Sequence, residues 1–155
     1  MKAEIINPFL VSTVNVLQTM ARLKATPGKP SVKDNNRSWG VVSGVIGMAS
    51  DKLKGHMVVS FEERCILKVV SNMFNEEIPT INKDVVDAVG EITNMICGGA
   101  KTALSEMGTS FNMAIPLVIS GKDIEIAQLS AGPVLSIPFT TEAGNLVVEA
   151  SLVSQ

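Results

Sequence analysis

NKDVVDAVGEITNMICGGAKTALSEMG, residues 82–108, is the stretch whose periodicity decides how this chain is read. Asn82 suits a helix N-cap, because its side chain can accept from one of the first free backbone N–H groups. Gly108 stands where a helix commonly stops. Between them, at 3.6 residues per turn, Val85, Val89, Ile92, Ile96, Ala100, Ala103 and Met107 share a stripe about 80° wide. That stripe is expected to face a core. The opposite side carries Asp87, Glu91, Asn94, Gly98 and Lys101 within roughly 80° of one another. One helix therefore separates a packing face from a polar face.

Glu91 and Asn94 are three residues apart, so their side chains project as neighbours toward the same patch of solvent and can touch one partner together. Gly98 follows on that face. A glycine inside a helix costs about 1 kcal/mol relative to alanine, and close approach of another backbone would offset it, so Gly98 is assigned to docking. Gly90 and Gly99 are open to two readings, function or tight contact with a neighbouring helix. The spacing Glu-x-x-Asn by itself selects nothing, because it occurs at Glu4/Asn7, Glu91/Asn94 and Glu142/Asn145. Context favours the middle pair: the first falls where a helix is only beginning and the third in a strand turn, whereas a site needs a rigid element.

Outward from this helix, Glu62 to Met73 forms a shorter amphipathic helix ending near Asn75, with its acidic start at the positive end of the dipole. Before it, Trp39–Ala49 and Gly55–Phe61 are rich in Val, Ile and Gly and flank Ser50, Asp51 and Lys52, which predicts two paired strands. Ala25–Arg37 holds Pro27, Gly28 and Pro30 without periodicity and is read as a flexible connection. Asn7–Leu23 has apolar residues at helical spacing, with Asn7 as cap and Pro8 at the first helical position. On the other side, residues 113–120, 124–129, 134–140 and 146–152 predict a four-strand meander. The order of elements implies an α+β fold, a multi-stranded, largely antiparallel or mixed sheet covered by long α-helices.

Length and composition agree with that picture. A chain of 155 residues is about one domain long, so residues 1–155 are expected to form a single domain. With 46% hydrophobic and 18% charged residues, the chain is too apolar for disorder and too evenly mixed for a spanning helix. The net charge of −2 and the scattered Lys and Arg exclude a basic stripe of the kind nucleic acids and anionic membranes require. Cys65 and Cys97 sit in apolar helical patterns, and no Cys/His cluster offers a metal site. Glu4, Asn7 and Pro8 interrupt any signal-peptide core, which gives cytoplasmic as the expected location.

The segment Ala88-Val89-Gly90-Glu91-Ile92-Thr93-Asn94-Met95-Ile96-Cys97-Gly98-Gly99-Ala100-Lys101 resembles the CheC, CheX and FliY family of chemotaxis phosphatases. The likeness continues through Asn7–Leu10, Val41–Phe61, Lys68–Ser71 and Val118–Gly121, which covers nearly the whole chain. CheC-like members carry two such helical motifs and CheX-like members one. The first helix here lacks a Glu and Asn in its middle, so the CheX branch fits. Where the family commonly has Gly, this chain has Thr93, a departure that points away from the Glu91/Asn94 face.

The resemblance implies a phosphatase that removes the phosphoryl group from the phosphoaspartate of a CheY-like response regulator. It implies that Glu91 docks against the regulator's active-site lysine and that Asn94 enters the regulator's active site. Asp87, Gly98 and Lys101 are then partner contacts. It also implies homodimers that share sheet structure between subunits. An amide can hold a water in line for attack without repelling phosphoryl oxygens, so Asn94 suits a positioning role. No intrinsic cofactor or metal is expected, and Mg2+ would be supplied by the regulator's own carboxylates. The competing reading is a non-catalytic module that binds a response regulator or a second copy. His56, the one histidine, lies in an expected strand and supports no triad. Asp84 reads as first-turn dipole stabilisation, most methionines as core filler, and Trp39 has no assigned role.

Overall fold

The computed structural model describes residues 3–126 and 132–155. In chain order the elements are α1 (Ala3–Ala21), β1 (Thr26–Pro27), β2 (Ser31–Val32), β3 (Val42–Ala49), β4 (Leu53–Phe61), α2 (Glu63–Phe74), α3 (Lys83–Glu106), β5 (Asn112–Met113), β6 (Leu117–Ser120), β7 (Leu135–Thr141) and β8 (Gly144–Ser154). The eight strands make one sheet in the order β1-β7-β8-β4-β3-β5, with β2 also on β7 and β6 also on β3. Every pairing is antiparallel. The α+β expectation holds, with the sheet antiparallel rather than mixed.

The β3–β4 hairpin forms the centre because its strands are β-branched and its turn is polar. The Ser50 hydroxyl accepts from the backbone N–H groups of Lys52 and Leu53 and closes that turn. Alternation then assigns faces. Val42, Ile46, Met57, Val59, Phe61, Val148 and Ala150 join the core beneath the helices. Ser43, His56, Val58, Ser60, Glu149 and Ser151 occupy the opposite face and are buried as well.

Several boundaries differ from the sequence reading. The first helix begins at Ala3 and holds Pro8 in its interior. Pro8 removes one early hydrogen bond, and the extra turn buries Ile6 at 4% exposure. The pair Glu4/Asn7 is therefore helical too, though at an end turn beside that proline. Trp39 lies outside the strand, which starts at Val42 because Gly40, at φ +71°, turns the chain where a side chain would meet the Phe61 carbonyl. Residues 25–37 are not simply a connection, since β1 and β2 add to the edge of β7.

The four-strand meander is not what forms. Residues 113–120 divide into β5 and β6 around Pro116, and both pair with β3 at one side of the sheet. The β7–β8 hairpin instead joins β4 on the other side. Of the expected strand 124–129, residues 124–126 contribute one bridge, Arg37 to Glu125, and residues 127–129 lie outside the described residues.

Candidate active site

Helix α3 is held along two sides, and this packing aims its polar face outward. Its start is capped as expected, with the Asn82 side chain accepting from the Val85 N–H at 3.0 Å. At its end the Met107 N–H donates to the Leu104 carbonyl and the Gly108 N–H to the Ser105 carbonyl, and Gly108 turns away at φ +89°. Against β3, Thr93 is fully buried and occupies the space that a side chain at Gly44 would take. Its hydroxyl donates to the Val89 carbonyl at 2.7 Å. Against α1, the Ser12 hydroxyl donates to the Ile96 carbonyl at 2.7 Å, and Gly99 leaves room for Ser12. Gly99 thus serves tight helix contact, and Gly90 lies near Val118 of β6.

The buried arc is wider than the expected stripe. Val85, Ala88, Val89, Ile92, Thr93, Ile96, Cys97, Ala100 and Leu104 are all buried, about 180° around the helix at 100° per residue. Ala103 is only half-buried, and Met107, just past the helix end, is 54% exposed. Leu104 is the last buried residue of the arc, because the helix ends at Glu106 and Met107 falls at its cap.

The remaining surface brings the expected residues together on one ridge. Asp87, Glu91 and Asn94 are exposed, and Gly98 and Lys101 are partly so. Asp87 pairs with Lys83 at 3.1 Å across one turn, an exposed contact of small energetic value. The Glu91 and Asn94 side chains have no hydrogen-bond or ion-pair partner among the described residues. Nothing lies within 4 Å of where a side chain at Gly98 would begin, so the ridge is notched and open there. A carboxylate and an amide in this setting can accept from a cation and orient a polar ligand. An amide and a carboxylate in water are weak bases, and both thiols of the chain are buried.

The other chemically capable groups lie elsewhere. Cys65 and Cys97 are fully buried, and burial pushes each thiol up to about 12, which makes them poor nucleophiles. His56 is buried on the face away from the helices, where burial and the nearby Lys33 ammonium lower its pKa. Beside it is a feature the sequence reading missed. Glu149 is 4% exposed and lies 2.5 Å from the Lys33 ammonium. Burial pushes the Glu149 carboxyl up, and Lys33 pulls it part of the way back. A lone Glu inside Leu146-Val147-Val148-Glu149-Ala150 was the available signal. Trp39 lines an open cavity of about 520 Å3 over this pair, with Arg37, Asp123 and Glu149.

Among the described residues no three His, Cys, Asp or Glu side chains gather as a metal site, and no helix is long and apolar enough to cross a membrane.

Four comparisons with known proteins bear on this arrangement. A crystal structure of a CheC-like superfamily protein from Shewanella sp. PV-4 superposes with a TM-score of 0.91 at 44% identity, covering 98% of this chain and 99% of the other. A protein named CheY-P phosphatase CheX from Thermotoga maritima is 28% identical over 141 residues, 90% of this chain and 89% of that protein. The crystal structure of a CheX-CheY-BeF3-Mg complex from Borrelia burgdorferi matches with a TM-score of 0.80 at 25% identity, over 96% of this chain and 97% of the other. The family model described as chemotaxis phosphatase CheX matches residues 42–140, more than half of the sequence. By sequence and by fold, this chain belongs to the CheX family of chemotaxis phosphatases.

Proposed function

We propose that this protein hydrolyses the phosphoaspartate of a CheY-like response regulator, with Asn94 positioning the attacking water and Glu91 docking the partner. One observation carries the reading. Glu91 and Asn94 stand exposed and without partners in the middle of a helix that Thr93 locks to the sheet and Gly99 locks to α1. Two polar groups held rigidly and left unused within the subunit are available to another molecule. The activity in the Thermotoga relative's name and the CheY bound in the Borrelia complex give that molecule its class.

Asn94 does what an amide can do. It donates and accepts hydrogen bonds without carrying charge, so it can hold a water on the far side of the phosphorus from the aspartyl oxygen. No general base is needed from this chain, because the leaving aspartate carboxylate is stable without a proton. Glu91, one turn away, meets a cationic side chain of the regulator and sets the depth to which Asn94 enters. Asp87, Gly98 and Lys101 border the same contact. The regulator's own acidic pocket would hold the Mg2+ that offsets charge on the phosphoryl oxygens. We place the protein in the cytoplasm, where its partner would be phosphorylated, and read it as a homodimer of single-domain subunits.

The test follows the decay of a phosphorylated receiver domain. Asn94→Ala is expected to slow catalysed decay on the order of a hundredfold while binding of the beryllofluoride-activated receiver persists, and Glu91→Ala is expected to weaken binding as well. Undiminished decay with Asn94→Ala at saturating protein would overturn the positioning role. Binding without any faster decay by the unaltered protein would make it a non-catalytic module.

A further inference from the structure

The polar ridge of α3 does not end at bare surface. Glu91, Met95, Gly99 and Ala103 follow one another at four-residue steps, a row that drifts about 40° per step around the helix. That row leads from the exposed carboxylate into a groove of about 300 Å3 between α3 and α1. Met95, Gly99 and Ala103 form one wall, and Val11, Ser12 and Asn15 of α1 form the other. The bond from Ser12 to the Ile96 carbonyl sets the floor, because it holds the helices together at Gly99. Among the described residues, no side chain lining the groove is charged. Val11 on its rim is 52% exposed, an apolar group left in water on the helix packed against α3.

Resting on the reading of Glu91 and Asn94 given above, we infer that this groove receives an apolar side chain from the response regulator, beside its phosphoaspartate pocket, and so sets affinity and partner choice. A partner seated on the ridge at Glu91 reaches the near end of the groove at Met95, one helical turn along the same row. The volume admits one or two large aliphatic or aromatic side chains. Met95, unbranched and flexible, can adapt to their shape. An apolar anchor in a desolvated slot next to a polar contact is the usual anatomy of an energetic hot spot. Discrimination between regulators would then follow from the residue each presents to the slot.

The experiment measures steady-state dephosphorylation of a receiver domain on which the unaltered protein is active, phosphorylated with acetyl phosphate. Val11→Glu puts a carboxylate on the groove rim at a half-exposed position, which leaves folding intact. Gln18→Glu adds the same charge to α1 outside the groove. Val11→Glu is expected to raise KM roughly tenfold with kcat within about twofold of the unaltered protein, and Gln18→Glu to leave both unchanged. An unmoved KM for Val11→Glu, or an equal rise in both variants, overturns the proposal. A change of subunit stoichiometry by sedimentation in Val11→Glu overturns it too, since a second copy would then be the occupant. Asn94→Ala, run beside them, tests the α3 reading by itself. Lost kcat there with an unmoved Val11→Glu KM defeats the groove alone, whereas full kcat in Asn94→Ala defeats the underlying reading.

Discussion

Glu149 and Glu91 are both carboxylates in the middle of regular elements, yet the protein treats them in opposite ways. Glu149, on a central strand, is buried at 4% exposure and held at 2.5 Å by Lys33, whose ammonium also donates to the Arg37 carbonyl. Glu91, on α3, stands in solvent with no partner among the described residues. A carboxylate removed from water needs a counter-charge or it destabilises the fold, so the Glu149 pair answers to the structure's own requirement. A carboxylate left in water on a rigid helix answers to nothing inside the subunit. The contrast separates a charge the fold employs from one left free for the docking role proposed for Glu91, and His56, buried beside Lys33, belongs with the structural set.

Breaking the buried pair should produce the largest effect on stability. Lys33→Met is expected to cost about 3–5 kcal/mol of unfolding free energy by leaving Glu149 unpaired, read by chemical denaturation, while Asn94→Ala stays within about 0.5 kcal/mol of the unaltered protein. The double variant Lys33→Met with Glu149→Met should recover most of the loss. A Lys33→Met cost near zero would erase the distinction between the two carboxylates. The glycines of α3 sharpen it at a smaller scale. Gly99→Ala collides with Ser12 and is expected to cost about 1–3 kcal/mol. Gly98→Ala meets open space and is expected to stabilise by up to about 1 kcal/mol, yet to slow dephosphorylation by adding a methyl group to the docking ridge. Gly98→Ala with full activity would remove Gly98 from that ridge.

The smallest effect is on pH dependence. His56 has its folded pKa lowered from 6.5, so the unfolded chain binds the proton first as the solution is acidified. The stability it contributes is present above about 6.5 and is lost as pH falls through the folded value, with a slope of at most about 1.4 kcal/mol per pH unit. Glu149 has the opposite sign, since its folded pKa is raised from 4.5. Its contribution is present below 4.5 and is lost as pH rises through the folded value. Denaturation curves measured across this range should flatten between pH 6.5 and mildly acidic values in His56→Gln. An unchanged slope would mean that His56 titrates as freely as an exposed group.

The polar ridge of α3 was legible because everything that shapes it is local. Cap, stop, apolar arc and polar ridge all depend on residues within one or two turns of each other, and Asn82, Gly108, Glu91 and Asn94 are placed as their spacing implies. The Lys33–Glu149 pair was not legible, because its members are 116 residues apart and neither has a local pattern that names the other. Met107 was misassigned for a related reason. The stripe assumed a helix continuing past Glu106, and whether the last turn persists depends on what it packs against.

From its own order of residues the chain determined the three helices seen among the described residues, a β-hairpin around Ser50-Asp51-Lys52, and one exposed polar helix face, since hydrogen-bond ladders and side-chain periods are set by near neighbours. Tertiary structure alone decided that β5 and β6 take one flank of the central hairpin and β7 and β8 the other, and that the short strands near Thr26 and Ser31 extend the edge. Strand order depends on which backbone edges remain unpaired after the long-range loops close, and that competition leaves no mark on any short stretch of sequence.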